Sequence, residues 1–544
     1  MSVLYGRANA IPSSSRILVT SRNSRTNNGI LGHNDQIRTY YRSANTTKRS
    51  SSLQSLSSAN SISSYYQPNF IRGYRDFLRV HASGGGSARI PLRNGNNGVF
   101  GVATSRGSRA KQEDTYSVAC LQIDPLELRQ SLQTSRSRVI QEAGKRWDPT
   151  FAGTGGGGEA EEDEIAGQVV WFGCFDGHGG PQISSFLKEE LHQAFEEVEP
   201  NMVTDTARFT RKLGGYFRRF TGGLMERWVR QDLLPQIRPS RPGQAHHRPK
   251  PEAEGGGKEA DGAPLSTEEM ERKTKEIKEQ QKQAQEEMQS DSPTGVIEVE
   301  RIDPPEEVKK ECLTIAERAT LAWLHMDRRI QSSKVLNIGG STASVALLHS
   351  LDQPATPWYS SQLLSVTSVH IGDTRMLLCP VADGHAIPLT NYHHPDDRSE
   401  AERLRRLGAG LVTDSFGEAR WMGALANTRA FGDSKFKKAG VTSEPEVITQ
   451  VLKGDDFSFI IAFSDGVGGV VSDQEVVDLC RGARHPHDAA KAVLRYAEAL
   501  GSDDNATVLC IPLKGWGKTQ GEDSTAEQRR FKLSKVDIFR DHRQ

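Results

Sequence analysis

The chain lacks four things, and each lack narrows what it can be. No run of about 18 apolar residues occurs, so the sequence offers no spanning helix. There is no net charge, because Lys plus Arg and Asp plus Glu both number 69. That argues against nucleic acid as the main partner. The six cysteines (Cys120, Cys174, Cys312, Cys379, Cys480 and Cys510) are dispersed, with no CxxC spacing. They read as thiols of a reducing compartment, and no His/Cys cluster has zinc spacing. Apolar residues are only 35% of 544, so sizeable segments are expected to be disordered. The glycine tract Gly155–Gly158 lacks the GK[ST] ending of a phosphate-binding loop and reads as linker.

Acids are scarce at the start. Residues 1–80 hold ten Arg and one Lys but only Asp35 and Asp76, amid many Ser, Thr and Asn. There is no secretory apolar core. This composition fits an organelle transit peptide, most simply mitochondrial, with a basic cytosolic tail as the alternative.

What is present is organised around QVVWFGCFDGHGG, Gln168–Gly180. Eight apolar-rich residues of strand length end on Asp176, and Gly177-His178-Gly179-Gly180 follows at once. Pro181 then opens a helical pattern. Glycines there let a backbone carbonyl or amide approach a ligand closely. An acid abutting an apolar strand recurs three times: Asp465 after FSFIIAFS, Asp373 in a turn between two strands, and Asp504 just before ATVLCIPL. A buried carboxylate needs pairing, protonation or a metal. Acids at strand ends suit hard, oxygen-loving cations such as magnesium or manganese.

The same pass divides the chain. Residues 1–92 read as a basic, Ser/Arg-rich disordered targeting segment. Residues 93–513 read as one domain with insertions at about 125–166 and 239–300, and 514–544 as a polar tail. Within the domain, Phe209, Leu213, Phe217, Phe220, Leu224 and Trp228 recur at helical spacing and predict a core helix pair. Ser266–Met288 predicts a solvated charged helix, opened by a capping box of Ser266 and Glu269. A helix is expected over Val308–Leu324. Strands with helices clustered between them predict an α+β domain.

Several carboxylates, an Arg-rich turn (Arg106, Arg109, Lys111, Glu113, Asp114) and a His on a glycine turn point to a metal-assisted hydrolase. Two divalent ions about 4 Å apart generate a hydroxide nucleophile at neutral pH and clamp an in-line phosphoryl transfer. Arginine holds phosphate oxygens in bidentate fashion, and His protonates a leaving alkoxide.

The ordered set Arg109-x-x-Gln-Glu113-Asp114, Asp176-Gly-His-Gly-Gly180, Gly340-Ser-Thr-Ala343, Gly372-Asp-Thr-Arg375, LTNYHHP, Arg429-Ala-Phe-Gly-Asp433, Ser464-Asp-Gly466 and Asp504-Asn505 resembles the protein phosphatase 2C family, the metal-dependent PPM-type Ser/Thr phosphatases. Within that family the chain looks like a fungal mitochondrial member. The resemblance implies a β-sandwich flanked by helices, with the metal site at one end of the sandwich. It implies hydrolysis of phosphoserine and phosphothreonine in proteins by a metal-bound hydroxide at two Mn2+ or Mg2+ ions. Carried over by position, Asp176 would bridge the ions and the Gly177 carbonyl would bind one. Asp465 and Asp504 would complete the other, and Glu113 and Asp114 would hold water. Arg109 would clamp the phosphate and His178 would act as general acid. Arg375, Arg429 and Asp433 are expected to brace loops. Members with a third ion carry an Asp where this chain has Gly469, although the other acid of that site, Asp373, is present. The implied partner is a phosphorylated protein, in the mitochondrial matrix an enzyme such as the pyruvate dehydrogenase complex. A pseudo-phosphatase that scaffolds phosphoproteins is the alternative reading.

Overall fold

The structure is a computed structural model. It describes residues 75–82, 86–95, 98–148, 165–213, 224–228, 312–336, 338–405, 411–413, 419–421 and 426–541. All of these fall in one compact unit, Arg72–Gln544.

Two five-stranded antiparallel sheets stack face to face. The first sets Glu446–Lys453, Leu363–Ile371, Ala343–Ser350, Gln168–Phe175 and Thr115–Gln122 side by side. The second sets Ile387–Pro388, Arg375–Pro380, Phe457–Phe463, Ala506–Pro512 and Gly101–Ser105. Helices cover both outer faces, which makes this an α+β sandwich. A central strand is therefore buried on both sides, so it is written as a continuous apolar run rather than an alternation. In Gln168–Phe175 every residue is buried. Val170, Phe172 and Cys174 face the second sheet, while Trp171 and Phe175 face the helices.

The helices Gln182–Glu197 and Ile315–Ser332 cover the first sheet, and Asp473–Cys480 and Pro486–Ala499 cover the second. Ile315–Ser332 starts seven residues later than the sequence pattern predicts, because Thr314 and Glu317 form its capping box. Among the described residues no helix is long and apolar enough to cross a membrane.

One domain boundary differs from the expectations, and two expected segments carry helices the sequence pattern did not predict. Folded structure begins before residue 93: Phe77–His81 pairs with Ser87–Pro91, and Leu78 enters the core between the sheets. Gln168 fixes this hairpin through the Arg79 backbone, accepting from its N–H at 2.7 Å and donating to its C=O at 2.9 Å. The first insertion carries helices Pro125–Gln133 and Arg138–Arg146, with Leu128, Leu132, Ile140 and Ala143 packed into the helix-side core. The polar tail carries helix Ala526–Asp541. It is anchored by ionic contacts that hydropathy does not register: Thr525 donates to Asp478, and Lys532 meets Glu475 at 2.6 Å. Of the helix pair, Val203–Leu213 is helical; Leu224 is exposed and Trp228 packs on the core, while Phe217 and Phe220 lie outside the described residues. The charged helix at Ser266–Met288 and residues 1–74 also lie outside them.

Candidate metal centre

Strand direction carries the acids to one end of the sandwich. Asp176 follows Gln168–Phe175, Asp373 follows Leu363–Ile371, Asp465 follows Phe457–Phe463, and Asp114 and Asp504 precede Thr115–Gln122 and Ala506–Pro512. Neighbouring antiparallel strands put the end of one beside the start of the next. Carboxylate oxygens of Asp176, Asp373 and Asp465 all lie within 4.8 Å of one another.

Backbone contacts set these positions. The Asp176 carbonyl accepts from Thr342 N at 2.9 Å. A Cβ at Gly177 would meet the Glu113 carbonyl at 2.6 Å, so only glycine fits that turn. Asn505 holds the Arg106–Glu113 loop by donating to the Arg106 and Lys111 carbonyls and accepting from Glu113 N. Ser184, on the helix Gln182–Glu197, donates to the Glu113 carbonyl. Asp114 is buried, and its Oδ2 accepts from Ser464 at 2.6 Å.

The electrostatics are those of a crowded anion site. Burial pushes the Asp176 carboxyl well above its usual range, and the charges of Asp465, Asp114 and Asp373 push it further. Burial, then the Asp373 charge, lifts Asp465 to about 6. Burial also lifts Asp114 to about 7, against the hydrogen bond from Ser464 and helped by the charges of Asp465 and Asp504. For Asp373 burial again pushes upward, but the nearby His394 and Asn427 outweigh it and leave the group below its ordinary value. His394 Nε2 stands 3.7 Å from Asp373 Oδ2.

A divalent cation fits this set. The clustered donors are carboxylate oxygens, the ligands of hard cations, and they are too many to ionise together without a counter-charge. Asp114 Oδ1 is buried with no hydrogen-bond partner among the described residues. An orphaned buried oxygen beside such a cluster fits a water or ion.

Other candidates are placed differently. Asp504 Oδ2 accepts from Arg109 Nη2 at 2.6 Å, so the arginine expected on phosphate rests on an acid here. His178 Nε2 lies 3.0 and 3.1 Å from the Asp433 oxygens. Arg375 pairs with Asp473, and Arg429 pairs with Glu400. Asp433 contacts His178 as well as lying in a loop, which its motif did not signal. Ser184, Asn427 and His394 were likewise not singled out; Ser464 stood in its motif without a role, and the His pair in LTNYHHP was visible as a cue. At Gly469 a Cβ would meet only the Asp465 carbonyl, at 3.2 Å.

The sequence model described as "Protein phosphatase 2C" matches residues 267–506. "Protein phosphatase 2C homolog 4" of Schizosaccharomyces pombe is 42% identical over 193 residues, which are 35% of this chain and 50% of that protein. Over residues 267–506 the chain is thus similar to the protein phosphatase 2C family. "Protein phosphatase 1K, mitochondrial" of Xenopus laevis is 31% identical over 184 residues, 34% of this chain and 46% of that protein. The chain thus spans about half the length of these curated relatives. The crystal structure of a serine-threonine phosphatase 2C from Toxoplasma gondii aligns with a TM-score of 0.40 at 15% identity, covering 78% of this chain and 98% of that one. The stretch matched to the protein phosphatase 2C model begins after His178. Arg109, Glu113, Asp114, Asp176 and His178 therefore lie outside it, and the fold sets Asp176 against Asp373 and Asp465.

Proposed function

We propose that this protein is a metal-dependent protein serine/threonine phosphatase working at the Asp176–Asp373–Asp465 end of the sandwich. The observation that carries the reading is that cluster: three carboxylates within 4.8 Å, two of them driven above their ordinary pKa. Asp176, the Gly177 carbonyl, Asp465 and Asp504 would hold two Mn2+ or Mg2+ ions, with Asp373 at hand for a further one. When bound, such ions supply Lewis acidity that draws charge from phosphoryl oxygens and acidifies water. Glu113 and Asp114 would accept hydrogen bonds from water on the attacking side. Arg109 would leave Asp504 to grip the phosphate, a change that costs little at an exposed pair. His178 would hand its proton to the leaving seryl or threonyl oxygen.

The substrate is a phosphorylated protein. An acid-poor leader, together with a relative whose name places it in mitochondria, supports a matrix address, and with it a matrix phosphoenzyme such as the pyruvate dehydrogenase complex. The direct test is phosphate release from a phosphoserine peptide with Mn2+ present, using Asp176→Asn as control. Wild-type turnover absent from the variant supports the reading. A wild-type chain that binds phosphopeptide without turnover would instead favour a scaffold. A reporter fused to residues 1–80 should enter mitochondria, and a cytosolic, uncleaved reporter would remove the address.

A further inference from the structure

A three-stranded miniature sheet holds His178. Gly340–Ser341 lies in the middle, with Gly177–His178 on one side and Phe431–Gly432 on the other. The register sets His178, Gly340 and Gly432 in one row across it. The imidazole reaches over Gly340 to the carboxylate of Asp433, the residue after that row. A Cβ at Gly340 would sit 2.5 Å from His178 Nε2 and 2.4 Å from Asp433 Oδ2. The glycine is the gap through which the two side chains meet.

The loop behind this contact is strained and tied down. Asp433 is the one non-glycine described residue at positive φ, 47°. Its N–H donates to the Gly339 carbonyl at 2.9 Å. Asp327 accepts from Gly432 N at 3.0 Å, Gln331 donates to the Gly432 carbonyl at 3.0 Å, and Lys437 pairs with Asp327 at 3.1 Å. A left-handed aspartate costs energy that the surroundings must offset, and such outliers cluster at functional sites. The side chain of Asp433 is 8% exposed while that of His178 is 43% exposed, so the acid is hidden and the imidazole reaches solvent.

We propose that Asp433, reached across Gly340, is the positioning residue for His178: its carboxylate accepts the hydrogen bond from Nε2–H and leaves Nδ1 as the nitrogen that serves the leaving oxygen. This rests on the phosphatase reading above. In the step served, a water oxygen bonds to phosphorus as the bond from phosphorus to the seryl oxygen breaks. The electron pair of that bond stays on the seryl oxygen, which takes the proton from His178 Nδ1. The imidazole is left neutral, protonated at Nε2 toward Asp433, and regains its Nδ1 proton from solvent.

The test compares leaving groups. A nitrophenolate leaves without a proton, and a serine alkoxide does not. Asp433→Asn keeps the shape and removes the charge. On the Mn2+-loaded full chain it should lower kcat on a phosphoserine peptide by about 10- to 1,000-fold, within what general-acid help is worth. On 4-nitrophenyl phosphate the loss should be less than about threefold, a change of roughly 0.7 kcal/mol. Gly340→Ala should copy this split, and adding His178→Ala to Asp433→Asn should bring little further loss, as for residues acting in one unit. Equal losses on both substrates would overturn the proposal. The second measurement needs no variant to keep its fold for activity: nitrogen-15 NMR of the Mg2+-loaded wild type, with the His178 signals assigned by their loss in His178→Gln. Neutral His178 should carry its proton on Nε2, and a proton on Nδ1 would overturn the pairing. Absence of any phosphatase activity in the wild type would overturn the functional reading and this proposal together, whereas activity with equal losses removes this proposal alone.

Discussion

Two clusters of acid in this domain are built in opposite ways. Glu400 is fully buried, and Arg403 and Arg429 grip it at 2.7 and 2.9 Å. Burial pushes its carboxyl up, but the charges of Arg429 and Arg403 overcome that and hold it far below the ordinary range. At the other cluster, Asp176, Asp465 and Asp114 are pushed up by burial and by neighbouring acids, Asp114 against one hydroxyl partner, Ser464, and of these acids Asp373 alone is held low. One cluster carries its counter-charge within the chain and is structural. The other leaves room for charge from outside. A buried acid is thus informative through what neutralises it, more than through its burial.

The comparison can be broken most sharply by exchanging charge for amide at each place. Asp176→Asn should abolish nearly all phosphatase activity while leaving the metal-free fold at least as stable, since it removes one of several repelling carboxylates. Glu400→Gln should do the reverse: a loss on the order of 3–5 kcal/mol in urea unfolding, because two buried guanidinium groups lose their partner. An Asp176→Asn variant that unfolds readily, or a Glu400→Gln variant of unchanged stability, would erase the distinction.

Added cation should stabilise one cluster only. At about 100 times its dissociation constant, Mn2+ should raise the wild-type unfolding free energy by about 2.7 kcal/mol by mass action. Asp176→Asn should show much less of that gain, and Glu400→Gln all of it.

The pH response should carry opposite signs. Asp465 and Asp114 titrate near 6 and 7 in the fold against an ordinary 3.8. Between about pH 4 and 7 the unfolded chain therefore releases protons that the fold still holds, so the metal-free protein loses stability as pH rises through that window. Glu400, held low, gives stability that is present above its ordinary 4.5 and is lost as pH falls below it. Thermal melting in chelator across pH should separate the two slopes, and saturating Mn2+ should flatten the first. The smallest effect belongs to the exposed Arg109–Asp504 pair: Arg109→Ala should raise KM for phosphopeptide and leave the melting temperature nearly unchanged.

How far the sequence reached follows from the same physics. The strands were legible because the central ones are buried on both faces and read as unbroken apolar runs, as in Gln168–Phe175, whereas their stacking as a sandwich followed from the family resemblance. The acids of the centre were legible because each abuts such a run. The hairpin at Phe77–Pro91 was not, since only Leu78 of its first strand is buried and the strands are short. The C-terminal helix was hidden because Thr525, Arg529 and Lys532 hold it through polar contacts with Asp478 and Glu475. Asp433 was set down as a loop brace because nothing local links it to His178, 255 residues away in the chain. Only the register through Gly340 brings them together.

The central claim is that the uncompensated acids exist to take a divalent cation for phosphoester hydrolysis. Phosphate release from a phosphoserine peptide, titrated with Mn2+ after exhaustive chelation, tests it most directly. The account predicts no turnover in excess chelator, recovery with added Mn2+, and no recovery in Asp176→Asn. Full turnover in excess chelator would contradict it.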